Sequence, residues 1–257
     1  MESNSNKNKK IAIILVVIGI VLYVLVKLLM FDYFYIISQS MAPTIQPGQC
    51  IFVNKLLFGP RFHIGNTNDK VFRLYGFRDI KAGDMVLFNA PMEKWSNTIE
   101  MKKDKVYCKR VLGTPGDRIG AVDGHCWNDK VLRPVGVVEE QEKLRWMFDS
   151  IFIWNQCYDV IPINQHKWNI KNWGPLIVPA KGLNVTLDDF SRDLYCEVIE
   201  YETQEPLDDF LREYTFKGNY YFALGDNAMD SYDSRYWGFI PEDFIIGIVS
   251  DFSFPRK

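Results

Sequence analysis

Apolar residues are arranged along this chain in two distinct ways. Residues 11–31 form an almost unbroken run of Ile, Leu, Val, Tyr, Gly and Met, about 21 residues long, which as a helix reaches across a hydrocarbon core of roughly 30 Å. Its single charge, Lys27, sits near the C-terminal end, where a four-carbon stem carries the ammonium to the lipid headgroups. From Tyr35 onward the apolar positions come instead in short β-branched or aromatic runs: Ile51-Phe52-Val53, Met85-Val86-Leu87-Phe88, and residues 106–112, 220–224 and 244–249. Pro47-Gly48, Ala82-Gly83-Asp84, Pro115-Gly116-Asp117 and Lys217-Gly218-Asn219 punctuate them as turns. Short strands with frequent turns predict a mainly β, antiparallel body behind one N-terminal transmembrane helix.

Two segments break this rhythm. Residues 59–79 mix Arg, His, Asn and aromatics without periodicity, and read as a long loop or irregular hairpin. Residues 126–216 hold five of the seven tryptophans and several acidic pairs, and read as an inserted β-rich subdomain or cap. Its aromatics either pack a small core of their own, the preferred reading, or meet a membrane interface. The expected organisation is a tail over 1–10, a span over 11–31, a β core in two parts, 32–125 and 217–257, and the insert over 126–216. Lys7, Lys9 and Lys10 flank the apolar run. By the positive-inside rule the tail stays in the cytoplasm and the body lies outside. A cleaved signal sequence is the rival reading, but the run is too long for a typical signal core and no small-x-small site separates it from Ser40.

A net charge of -2 and an ordinary charged fraction give no sign of a nucleic-acid partner. The five cysteines, Cys50, Cys108, Cys126, Cys157 and Cys196, are an odd number with no zinc spacing. Buried, reduced thiols are the simplest reading, although an extracytoplasmic site would allow one disulfide among Cys126, Cys157 and Cys196. His63, His125 and His166 fall in no Ser-His-Asp pattern, and no phosphate-binding glycine loop is visible. Asn184-Val185-Thr186 is a glycosylation sequon that matters only in a eukaryotic host.

The candidate chemistry lies in two strings. Ser38-Gln39-Ser40-Met41-Ala42-Pro43-Thr44 follows the apolar run by a few residues, so Ser40 stands close above the bilayer. A hydroxyl is a poor nucleophile unless a base lies within reach, and a lysine can be that base if burial lowers its pKa. Lys109 lies in the strand-like run 106–112, whose alternation sends Cys108 and Arg110 to the opposite face, so one of the two adjacent bases points inward. Arginine stays protonated and cannot serve as the base.

These two strings, with the turn that follows Lys109 (Val111-Leu112-Gly113-Thr114-Pro115-Gly116-Asp117), the stretch from Gly225-Asp226-Asn227 to Pro241, and Lys81-Ala82-Gly83-Asp84-Met85-Val86-Leu87-Phe88, closely resemble four signature boxes of the type I signal peptidases. Those are membrane-anchored Ser/Lys endopeptidases that cut leader peptides from exported proteins. The resemblance implies the mainly β signal-peptidase fold, with Ser40 as nucleophile and Lys109 as general base. It implies an oxyanion site made by the Ser40 backbone N–H and the Ser38 hydroxyl, with Ser231 orienting the lysine amine and Asp233 and Arg235 as a buttress. Phe34, Ile36, Ile37, Met41, Ile45, Tyr107 and Cys108 fall where shallow apolar pockets would admit an Ala-x-Ala leader, bound by pairing with strand edges. No metal or cofactor is required. The implied partners are secreted preproteins with signal peptides, membrane lipid and the secretion translocon, and the implied location is the bacterial inner membrane. The chain departs from the pattern at Ala228 and Met229, where many relatives carry Arg and Asp, and at Cys108, usually aliphatic. Three alternatives stand beside general leader removal. One is a dedicated maturation peptidase for a few secreted, conjugation or pilus proteins. Another is a non-catalytic tethered binding protein, disfavoured by intact Ser40, Lys109 and Ser231. The last is a self-cleaving repressor, disfavoured by the apolar run and the lack of a helix-turn-helix.

Overall fold

A computed structural model describes residues 2–63, 71–92, 98–146 and 168–254. The helix Glu2–Leu29 comes first, and its segment Asn8–Leu29 is long and apolar enough to cross a membrane. None of that segment is buried against the rest of the chain. The helix stops short of Phe31, where the apolar run was expected to end. Phe31 instead opens a strand, Phe31–Tyr35, whose partner strand pairs with all five of its residues and so replaces the helical hydrogen bonds.

Among the described residues fourteen strands follow the helix: β1 (Phe31–Tyr35), β2 (Cys50–Asn54), β3 (Arg61–His63), β4 (Val71–Arg73), β5 (Met85–Ala90), β6 (Lys102–Gly113), β7 (Arg118–Val122), β8 (His125–Asn128), β9 (Trp173–Ile177), β10 (Asn184–Thr186), β11 (Glu213–Thr215), β12 (Tyr220–Leu224), β13 (Ile240–Pro241) and β14 (Ile245–Phe254). A seven-stranded antiparallel sheet in the order β1-β2-β14-β5-β6-β12-β13 forms the centre. The period-two alternation sends Val86, Phe88 and Val111 into a large apolar cluster on one face. Leu87 and Cys108, from the same strands, enter a smaller cluster on the other with Ile36, Met41, Ile45, Ile51, Val53 and Val249. Each such side chain removed from water contributes about 1.5–3 kcal/mol. The irregular stretch 59–79 contains the short β3–β4 hairpin, as its lack of periodicity suggested.

The described residues of 126–216 do not stand apart as a separate β-rich unit. The proposed boundary cuts the β7–β8 hairpin, and β9 pairs back onto β7 in a three-stranded sheet, β8-β7-β9. Their longest described element is the helix Asp189–Thr203. It begins with a capping box, in which the Asp188 carboxylate accepts from the Ser191 N–H and the Ser191 hydroxyl accepts from the Asp188 N–H. Its buried stripe of Leu194, Tyr195, Val198 and Ile199 enters the same cluster as Val86 and Phe222, so one core is shared. Trp173 packs there too, 5.2 Å from Phe222. Cys50, Cys108, Cys126 and Cys196 are free, while Cys157 and His166 lie outside the described residues.

Candidate active site

Ser40 lies in the connection between β1 and β2. Hydrogen bonds from Ile36 N to Gln49 O and from Gly48 N to Ile36 O close the base of this loop. Within it, Ala42 N bonds to Gln39 O and Ile45 N to Met41 O, and the side chains of Met41 and Ile45 are buried beneath. The serine is thus presented by a folded loop rather than a free arm. The Ser40 hydroxyl lies 3.2 Å from that of Ser38.

Lys109 is placed by the middle of the sheet. It sits on β6 opposite Val86 of β5 and is only 2 % exposed. Its Nζ is 3.0 Å from the Ser231 hydroxyl. Burial pushes the Lys109 amine down to about 8, against a smaller upward pull from the Asp233 carboxylate. Asp233 is itself fully buried. Burial alone would raise its carboxyl, but the Arg235 guanidinium, bound bidentately at 2.8 Å by each nitrogen, holds it below the usual carboxylate range. Asp233 also accepts from Gly225 N at 2.9 Å and caps the short helix Ser234–Trp237. The Asp233–Arg235 pair therefore shapes the backbone around Ser231, and its two charges pull on Lys109 in opposite directions.

One residue without an assigned role in the sequence reading joins the two halves. A Cβ added at Gly225 would overlap both the Ser231 hydroxyl and the Ser40 carbonyl oxygen, so only glycine lets those groups converge there. The next two residues clamp the serine loop. Asn227 N donates to Ser40 O at 3.1 Å, and its amide donates to Gln39 O at 3.3 Å. Asp226 accepts from Thr44 Oγ1 at 2.5 Å and takes two bonds from Arg110, at 2.7 and 2.6 Å. Arg110 is thus the partner of Asp226, on the strand position next to Lys109. Turn-like Gly-Asp-Asn was the available signal for this clamp, but its partners are 116 and 182 positions away in sequence.

A serine-bearing loop joined through Gly225 and Ser231 to a buried amine whose pKa burial lowers is an arrangement suited to acyl transfer. Residues 9–253 match the family described as signal peptidase, peptidase S26. The chain belongs to that family. Similar proteins include the signal peptidase I of Buchnera aphidicola subsp. Schizaphis graminum, 27% identical over 251 residues that cover 91% of this chain and 72% of the relative. Another is the signal peptidase I of Pseudomonas aeruginosa, 27% identical over 242 residues, covering 90% and 65%. A solved signal peptidase I from Enterococcus faecalis V583 aligns with 67% of this chain and 97% of its own, at 18% identity and a TM-score of 0.32.

Within this peptidase the residues expected to line substrate pockets separate into groups. Ile36, Met41, Ile45 and Cys108 share the smaller apolar cluster, with Phe34 packed against it. Tyr107 faces the other side of β6, stacked on Trp237 at 5.3 Å between ring centres. Ile37 is 92 % exposed and joins neither group. The Cys108 thiol is pushed up to about 12 by burial, so it is an apolar wall and no rival nucleophile. The departures at Ala228 and Met229 leave the buttress whole: Ala228 is buried and its carbonyl accepts from Arg235 Nη1 at 3.1 Å, while Met229 points outward.

Proposed function

We propose that this protein is a membrane-anchored serine endopeptidase that removes signal peptides from exported preproteins after an Ala-x-Ala-like site, with Ser40 as nucleophile and Lys109 as base. The observation that carries the reading is the buried Lys109 amine, bonded to Ser231 and lying under the loop that presents Ser40. In the resting arrangement the Ser40 hydroxyl pairs with Ser38 and the amine with Ser231. Acylation requires the Ser40 hydroxyl to turn toward Nζ, a contact that catalytic groups commonly tighten only with substrate bound. Neutral Lys109 takes the proton as Ser40 Oγ attacks the scissile carbonyl. The Ser40 N–H and Ser38 hydroxyl receive the developing oxyanion, each worth on the order of 3 kcal/mol. Collapse passes the proton to the leaving amine and leaves an acyl-enzyme, which water deprotonated by Lys109 then hydrolyses. Lys9 and Lys10, at the start of the apolar segment Asn8–Leu29, support a cytoplasmic N-terminus with the peptidase body outside.

The direct test is cleavage of a membrane-inserted preprotein with an Ala-x-Ala site by detergent-solubilised wild type, Ser40→Ala and Lys109→Ala, with the product N-terminus identified by mass. Cleavage after the second Ala, abolished in both variants, is expected. Undiminished cleavage by either variant contradicts the assignment.

A further inference from the structure

The C-terminal end of the N-terminal helix carries a charge cluster that the chemistry does not use. A helix leaves its last four carbonyls without intrahelical partners, and close to lipid an unpaired carbonyl is costly. Two of the oxygens at this end are taken by a single residue from another part of the chain: Lys55 Nζ donates to Lys27 O at 2.8 Å, and Lys55 N to Met30 O at 2.8 Å. Asp32 stands between the two ammonium groups, 3.3 Å from each, and accepts from Tyr33 N at 2.9 Å. Lys27 lies 4.2 Å over the Tyr33 ring.

The backbone turns this cluster into a junction. The helix ends at Leu29 and β1 begins at Phe31, so only Met30 lies between them. Phe31 pairs with Asn54, the last residue of β2, and the Lys55–Met30 bond continues that ladder by one rung onto the helix. The Asn54 side chain caps the short helix Lys55–Phe58 through Leu56 N and Leu57 N, which fixes the direction in which the chain leaves β2 at Lys55. Exposed ion pairs contribute little. The Lys55 side chain, however, is only 14 % exposed, and its charge-assisted bond to a helix carbonyl is the stronger kind of contact.

We propose that Lys55 is a positioning residue for the peptidase: by tying the end of the apolar helix to β2 it makes the junction a rigid joint, which holds the body at one angle to the helix. This rests on the reading of the chain as a signal peptidase whose N-terminal helix spans the membrane. β1 runs from the joint into the Ser40 loop, whose base is closed by the bonds of Ile36 N to Gln49 O and Gly48 N to Ile36 O. Strand and hydrogen-bonded loop thus carry the orientation of the joint to the nucleophile. A body on a free tether would meet cleavage sites at many distances from the membrane. A body on a rigid joint selects leaders by the spacing between their apolar stretch and the site of the cut.

The test uses the full chain in lipid nanodiscs, with genetically encoded spin labels at Leu15 in the helix and Lys181 on the body, both exposed positions. Double electron–electron resonance should give a narrow distance distribution in the parent protein. Lys55→Met, which keeps the stem and removes the ammonium, should broaden it several-fold while leaving the Tm and the kinetics on a soluble leader peptide unaltered. Unlabelled protein is then assayed on membrane-inserted preproteins whose spacing between apolar stretch and cleavage site is varied. Wild-type kcat/KM should fall about tenfold or more when the spacer changes by two residues, about 7 Å of extended chain, and Lys55→Met should flatten that dependence. A broad distribution in the parent, or an unchanged width in Lys55→Met, overturns the joint. A broadened width with an unchanged spacer profile overturns the positioning role. Relaxation of the Leu15 label by a water-soluble nickel chelate rather than by oxygen overturns the membrane span and the positioning role with it. Failure of the wild type to cut any of these substrates falls on the peptidase reading, and the distance distributions still decide the joint.

Discussion

Lys109 carries opposite consequences for activity and for stability. With its folded pKa near 8, below the ordinary 10.5, the folded protein binds fewer protons than the unfolded chain between those values. Stability therefore rises with pH through that window, and below it the protein bears the full cost of a buried ammonium, about 3 kcal/mol. Lys109→Met should be inactive yet more stable at pH 7 by up to about 3 kcal/mol, a gain of several degrees in Tm that shrinks by pH 10. Calorimetry at both pH values checks this; a Met variant less stable than wild type at pH 7 contradicts the burial argument. Arg235 offers a second reading of the same field. It neutralises Asp233, whose carboxylate otherwise favours protonated Lys109. Arg235→Met should move the midpoint of the pH–activity profile upward, and a variant that folds with an unmoved midpoint would show that the pair is structural only.

At the scale of elements, the site depends on β6 and β12 meeting the serine loop at Gly225. Gly225→Ala forces the Ser231 hydroxyl and the Ser40 carbonyl apart. Overpacking of this kind costs about 1–3 kcal/mol of stability, but displacement of about 1 Å at reacting groups costs about a hundredfold in rate. The variant should melt a few degrees lower and lose at least about a hundredfold in kcat, read by a soluble-peptide assay. Wild-type kcat in a folded Gly225→Ala protein would contradict the shared contact. Asp226→Ala removes the partner of both Thr44 and Arg110, and its effect should fall on kcat rather than on the site of cleavage. Much of this level was legible in the sequence. The β-branched runs at 51–53, 85–88, 106–112 and 220–224 became β2, β5, β6 and β12 because period-two alternation is local information. The clamp made by Gly225, Asp226 and Asn227 was not legible, because each partner is distant in the chain. The helix Asp189–Thr203 was missed because its apolar stripe is interleaved with acidic residues in a segment dominated by tryptophan signals.

For the whole molecule, both apolar clusters begin at or after Ile36 and include nothing from the N-terminal helix. The helix stands apart from the core, as a membrane anchor would. A chain lacking residues 1–29 should fold and cut a soluble peptide with a kcat/KM within several-fold of the full protein, and should lose efficiency chiefly on membrane-inserted preproteins; collapse of its thermal transition would show the helix to be structural. The insert, by contrast, shares its core with the sheet, so its deletion should unfold the protein. The proposed chemistry turns on a buried lysine whose amine loses its proton near pH 8, and one profile tests that most directly: kcat/KM for a soluble leader peptide measured under single-turnover conditions from pH 6 to 10. A tenfold rise per pH unit below the midpoint, bending to a plateau near pH 8, is the predicted result. A flat profile from pH 6 to 9, with chemistry limiting, would contradict Lys109 as the base.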